Sequence, residues 1–315
     1  MRRKAVIISI LGKFLSKREK KLIKSEKPWG LILFKRNIST LDQTKKLIKS
    51  IRGITKDKKF PILIDEEGGK VCRLSNFFDN SVYSQKFFGD LYTKKKFFAS
   101  SIYKKYIFSV CSIFKYLGIN INTVPVLDIF KKNTHKIIGD RSYSNRLNIV
   151  KELGSLCVRS YKENGIATVI KHIPGHGSSL SDSHLVLPIV KNSHKNLKRL
   201  DFNCFKGIKS HFAMTAHILY KDIDSKNVAT HSKNIIKKIV RKEIGFKGII
   251  ISDDISMGAL KHDIVTNAKK SLEAGCNLVL YCSGNYKESL KLLRQMPLID
   301  KFTSKKTSEF YKFLS

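Results

Sequence analysis

"GFKGIIISDDISMGAL", residues 245–260, sets three consecutive isoleucines between a glycine and two aspartates. A half-exposed strand alternates apolar with polar residues, whereas an unbroken apolar run suits a parallel strand covered on both faces. The run stops at Asp253 and Asp254, so a buried strand hands over directly to charged side chains. Seven other segments have the same form: "AVIISI" (5–10), "GLILF" (30–34), "FPILID" (60–65), "INTVPVLD" (121–128), "IATVIKH" (166–172), "FAMTAH" (212–217) and "NLVLYC" (277–282). Stretches of helical periodicity separate them. In "TLDQTKKLIKSIRG" (40–53) the residues Leu41, Leu47, Ile48 and Ile51 share a face; in "SKNIIKKIVRKEIG" (232–245) Ser232 supplies a cap and Gly245 a stop. Eight rounds of strand and helix predict an α/β chain folded as a single-domain (β/α)8 TIM-like barrel, with a doubly wound open sheet as the alternative. One such barrel accommodates residues 1–315, leaving roughly the last 20 as a C-terminal tail.

The chain carries 61 lysines and arginines against 25 acids, a formal net charge of +36. Such an excess raises nucleic acid or an anionic membrane as a partner. Its distribution argues otherwise: only 12 are arginines, and the lysines fall in short groups such as "KREKK", "KDKK" and "TKKKF" between apolar segments throughout. The expectation is solvated helix faces, with no specific nucleic-acid partner and no membrane partner. Six cysteines (72, 111, 157, 204, 276 and 282) show no CxxC and no framework spacing, and read as reduced core residues of a cytoplasmic protein. "MRRKAVIISILGK" begins like a signal peptide, but its short apolar run meets Lys13 at once, so it is read as the first strand. No segment approaches the roughly 18 apolar residues that span a bilayer.

In a barrel of this kind, side chains at the C-terminal strand ends converge on one mouth. Asp65, Asp128, Lys171, His172, His217 and Asp253 all hold such positions. Lys171 and His172 open the loop "KHIPGHGSSLSDSHLVLP" (171–188), in which Pro174, Gly175 and Gly177 prevent the helix that would pair His172 with His176 as zinc ligands. No metal is expected there. Asp182 and His184 are two apart, which in extended chain puts both on one face; the carboxylate then holds an imidazole N–H and favours the imidazolium. Such a dyad gives and takes protons near neutral pH. At 253 and 254, strand alternation points one acid into the mouth and turns the other away to brace or cap. "IDEEGGKVCRL" (64–74) crowds Asp65, Glu66 and Glu67 before a Gly-Gly turn, which suits binding of hydroxyls or cations. A carboxylate nucleophile facing a proton donor, ringed by Asp, Lys, Arg and His, is the arrangement for cleaving a glycosidic bond with retention. A Schiff base on Lys171 or metal-assisted hydrolysis stays open on spacing alone.

"KHIPGHG" followed by "DSHLVLP", with "LIDEEGGKVCRL" before and "GFKGIIISDDISMGAL" after, resembles the single-domain bacterial β-N-acetylglucosaminidases of glycoside hydrolase family 3, the NagZ type. "GLILFKRN", "PVLDI" and "IGDRSY" stand in that family's order, so the resemblance runs from about residue 28 to about 284. It implies a retaining mechanism with Asp253 as nucleophile and His184 as acid/base, assisted by Asp182. It further implies that Asp65, Arg73, Arg141, Lys171 and His172 bind the sugar and its neighbouring groups. The implied enzyme is a cytoplasmic monomer that needs no cofactor. Its implied substrate is a muropeptide, from which it releases terminal N-acetylglucosamine during peptidoglycan recycling. Three departures bear on fine substrate contacts: "DEEGGK" where the family reads Asp-Gln-Glu-Gly-Gly-Arg, Lys35 where it has glycine, and Ser9 where it often has an acid. A family member that binds glycans without cleaving them is one rival, opposed by the intact Asp253, Asp182 and His184. A β-glucosidase-type exo-glycosidase is the other.

Overall fold

Eight parallel strands close on themselves in chain order in the computed structural model, which describes residues 2–131, 138–179 and 187–314. They are β1 (Lys4–Ile8), β2 (Pro28–Leu33), β3 (Ile62–Ile64), β4 (Ile121–Asn122), β5 (Ala167–Ile173), β6 (Phe212–Thr215), β7 (Ile249–Asp254) and β8 (Leu278–Tyr281). β8 returns to β1 with Val6 opposite Val279 and Ile8 opposite Tyr281. Closure excludes the open sheet and gives the (β/α)8 barrel.

The isoleucine run of β7 shows why these strands lack polar alternation. Ile249 and Ile251 point into the barrel with Ile7, Leu63, Val169 and Met214. Ile250 points outward, into the layer shared by strands and helices. Both faces are dry, so both take apolar side chains. Leu47, Ile48 and Ile51 of helix Leu41–Thr55 are buried as expected, while Leu41, in the first turn after the Thr40 cap, is 37% exposed. Ser232 accepts the N–H of Ile235 at 3.1 Å and Gly245 has φ +78, but the helix between them, Ile235–Glu243, is wound as a π-helix.

Two expectations are corrected. The fourth strand was expected over 121–128, but only Ile121–Asn122 pairs as strand. Pro125 has no N–H to give the ladder, and pairing resumes beyond it where Leu127 N–H reaches the Lys171 carbonyl at 2.7 Å. The C-terminal residues, expected as a tail, form a helix, Lys301–Phe313. Its Phe310 is fully buried in the barrel interior, edge-on to Phe212 at 5.3 Å, and Thr307 accepts the indole N–H of Trp29 at 2.9 Å. The helix therefore stoppers the N-terminal end of the barrel and leaves the C-terminal end as the mouth. Trp29, the single tryptophan, is a packing residue. All six cysteines are free, four of them buried. Among the described residues no helix is long and apolar enough to cross a membrane.

Candidate active site

The C-terminal strand ends bring together most of the residues singled out in the sequence. Just beyond β3, Asp65 receives the Lys171 ammonium on Oδ1 at 3.0 Å and also accepts the hydroxyl of Thr123. Arg73 approaches its other oxygen at 3.7 Å. Lys171, on β5, is buried and divides its three protons among Asp65, Thr123 at 2.9 Å and Glu67 at 2.6 Å. Glu67 in turn takes Arg141 through both oxygens, Nε at 2.8 Å and Nη2 at 2.9 Å. The two carboxylates and the Lys171 and Arg141 cations thus form one connected lattice. Burial alone would raise both carboxyls, but Lys171 and Arg73 hold Asp65 far below the ordinary range, and Arg141 with Lys171 hold Glu67 at about 2. Burial opposes the charge on Lys171, yet Asp65 and Glu67 raise it.

Next to this lattice, His172 is oriented by a carboxylate that sequence reading placed at the mouth without a role. Asp128 Oδ2 lies 2.7 Å from His172 Nδ1, and Asp128 Oδ1 accepts the backbone N–H of His176 at 2.6 Å. His172 and His176 share this acid, their rings 5.8 Å apart and steeply inclined. Among the described residues no group of three or more His, Cys, Asp or Glu is placed to hold a metal ion.

On β7 the paired acids do different work. Asp253, partly open to the mouth, accepts among the described residues only the N–H of Asp254, at 2.8 Å. Burial pushes its carboxyl up, but His172, His217, that N–H and Lys171 together bring it below the ordinary value. A carboxylate ionised at neutral pH with an uncommitted oxygen is what an in-line attack requires. Asp254 turns away and braces the loop, accepting the N–H and hydroxyl of Ser256 at 3.1 and 2.8 Å and the N–H of Cys282 at 3.2 Å. Burial raises its carboxyl. His217 lies buried beneath them: its Nε2 faces the Asp254 carbonyl at 3.0 Å, which can only accept, so Nδ1 is the acceptor for Thr230 at 2.7 Å. Burial lowers the His217 ring, in keeping with that neutral tautomer.

Asp65, Arg73, Arg141, Lys171, His172 and Asp253 thus face one mouth, whereas Asp182 and His184 lie outside the described residues. The stretch leading toward them is firmly seated. Tyr220 donates to the Gly175 carbonyl, Ser178 and Lys131 bind Asp201, and a Cβ on Gly177 would stand 2.1 Å from the Ile129 carbonyl. Sequence reading missed the parts played by Glu67, Thr123, Asp128 and Arg36. Arg36 joins three strand ends by donating to Ile10 O at 3.1 Å, Ser9 Oγ at 2.8 Å and the Cys282 carbonyl. For Glu67 and Asp128 the strand-end position was the available signal; Thr123 had none. Glu66, adjacent to the mouth-facing Asp65, points the other way: its Oε2 accepts the N–H groups of Arg73 at 2.7 Å and Leu74 at 2.9 Å, and burial pushes it up to about 7.

The fold and the sequence are shared with known proteins. The profile of the glycosyl hydrolase family 3 N-terminal domain matches residues 5–302. A beta-hexosaminidase of Haemophilus influenzae is 32% identical over 285 residues, covering 89% of this chain and 79% of that relative. NagZ of Neisseria gonorrhoeae, crystallised with N-trifluoroacetyl-D-glucosamine, superposes with a TM-score of 0.88 at 29% identity, over 98% of this chain and 90% of that one. A family 3 β-N-acetylglucosaminidase of a Paenibacillus species gives a TM-score of 0.85 at 28% identity, though this chain, 98% covered, spans only 60% of that protein. With a barrel closed in the same way and a family profile matched over nearly its whole length, this chain belongs to glycoside hydrolase family 3.

Proposed function

We propose that the protein is a retaining exo-β-N-acetylglucosaminidase of the cytoplasm that removes terminal N-acetylglucosamine from anhydro-N-acetylmuramoyl peptides in peptidoglycan recycling. The observation that carries this reading is Asp253: a carboxylate kept ionised at the barrel mouth, with one oxygen free of hydrogen bonds among the described residues and Lys171 and His172 beside it. The beta-hexosaminidase and NagZ names of its relatives support the N-acetyl sugar.

In this reading Asp253 attacks the anomeric carbon as the bond to the leaving oxygen breaks, and His184, held by Asp182, gives that oxygen its proton. Water then attacks the glycosyl ester and returns a proton to His184, which frees Asp253 and retains the anomeric configuration. Asp65 and Lys171 hold the sugar's hydroxyls, Arg73 closes over it from the rim, and Arg141 with His172 hold the wall on which it rests. Release of nitrophenol from 4-nitrophenyl N-acetyl-β-D-glucosaminide, with the β-glucoside alongside, tests the proposal. Turnover of the N-acetyl substrate that vanishes in Asp253→Ala is the expected result. Activity on neither sugar, activity on the glucoside alone, or turnover surviving the substitution would each overturn it.

A further inference from the structure

Helix Lys96–Leu117, "KFFASSIYKKYIFSVCSIFKYL", has no acidic residue and two apolar sides. Tyr103, Ile107, Val110 and Phe114 face the core and are buried. On the opposite side Phe97 is 89% exposed, Phe108 60%, Phe98 55% and Tyr116 47%. A single exposed phenylalanine is ordinary; a set of aromatic rings along one helix is not. At 100° per residue, Phe97, Lys104, Phe108 and Lys115 fall along one line, and Phe98, Lys105 and Tyr116 along its neighbour. Rings and ammonium groups therefore alternate along the exposed side of the helix. The basic character continues onto helix Leu41–Thr55, whose Lys45 stands 3.7 Å above the Tyr116 ring and whose Lys49 and Arg52 share a groove with Lys115. The acids close by are Glu152, taken by Lys96 at 2.9 Å, Asp42, which meets the Tyr116 hydroxyl at 3.5 Å, Glu163, beside Lys104 and Phe108, and Asp57, in the same groove as Lys115 and paired with Arg3.

We infer that this flank of the barrel docks on an anionic phospholipid surface. Phenylalanines enter the headgroup and acyl boundary while lysines reach the lipid phosphates, the division of labour of interfacial helices. Charge complementarity selects the anionic lipid, and the phenylalanines exposed along the helix suit insertion into a headgroup layer. The helix lies between β3 and β4 and runs against the strands, so docking on its outer side leaves the catalytic mouth uncovered. Sequence reading expected no membrane partner; this inference departs from it because aromatic residues, and not only lysines, stand on the wet side of this helix.

The experiment is co-sedimentation of the full chain with phosphatidylglycerol–phosphatidylcholine vesicles and with pure phosphatidylcholine vesicles at about 0.15 M NaCl. Binding to the anionic vesicles alone is expected, weakened at least about tenfold in Phe97→Ser/Phe98→Ser/Phe108→Ser and again in Lys104→Gln/Lys105→Gln. Lys237→Gln/Lys238→Gln, an equal loss of charge on an exposed stretch of another helix, should bind as wild type. Unchanged melting temperatures confirm that the variants fold. No sedimentation with anionic vesicles, or sedimentation indifferent to the phenylalanines, overturns the inference; in the second case displacement by RNA would reassign the lysines to nucleic-acid phosphates.

Discussion

Asp253 and Asp254 sit side by side with opposite shifts, and the reason is local: one faces His172, His217 and Lys171, while the other is buried against Ser256 and the Cys282 N–H. Replacing Asp253 by Asn keeps the shape and removes the charge, so kcat on a nitrophenyl glycoside should fall by at least about a thousandfold while the fold survives. Glu66 makes a second test at this scale. Its carboxyl is raised in the folded state from 4.5 to about 7 by burial, so its contribution to stability is complete below about pH 4.5 and disappears as pH rises through 7. Glu67, held at about 2, behaves in the opposite sense: its contribution is present above 4.5 and is lost as pH falls toward 2. Thermal melts of wild type and Glu66→Gln from pH 5 to about 8.5 should therefore diverge as pH rises, the variant becoming the more stable by on the order of 2–3 kcal/mol. Parallel curves would show that Glu66 is ionised throughout. Asp253 and the Lys171–His172 pair were legible because strand ends announce themselves. The lattice of Glu67, Thr123 and Arg141 was not, because it depends on which ends become neighbours once the sheet has closed.

Helix Lys301–Phe313 is an element whose importance lies in one side chain. Phe310 reaches the barrel interior from outside the eight-strand pattern, so Phe310→Ala should cost about 3–5 kcal/mol in urea unfolding, far more than truncation of a surface aromatic. Gly89, in helix Gln85–Lys94, makes a complementary test of packing: a Cβ there would come 1.7 Å from the Tyr143 carbonyl, so Gly89→Ala must force the helix off the Tyr143 segment. That variant should show a clear fall in the urea midpoint, and an unchanged midpoint would mean the two segments do not touch in solution. Strand existence was readable throughout, since each strand is an apolar run with a turn on either side. Strand extent was less so. The apolar letters continue through 126 and 127, yet the ladder is interrupted at Pro125, because pairing depends on N–H groups that hydrophobicity does not report.

For the whole molecule, charge is the dominant long-range quantity. With 61 cationic and 25 anionic side chains the folded state repels itself, and salt screens that repulsion. The melting temperature should therefore rise as NaCl goes from about 0.02 to about 0.3 M; a fall would mean that attractive pairs such as Arg141–Glu67 outweigh the net repulsion. By itself the sequence determined eight doubly buried strands alternating with helices, and the identity of the acids and bases that end them, while closure of those strands into a barrel rather than an open sheet was decided by the structure. Backbone periodicity and burial are local properties, and local properties are written in order along the chain. Tertiary structure alone decided which strand ends share protons, that the terminal helix stoppers the barrel, and that Phe97, Phe98 and Phe108 face water and not the core. Each of these depends on a residue's distance and direction from others far away in sequence, and a helix with two apolar sides does not say which one it buries.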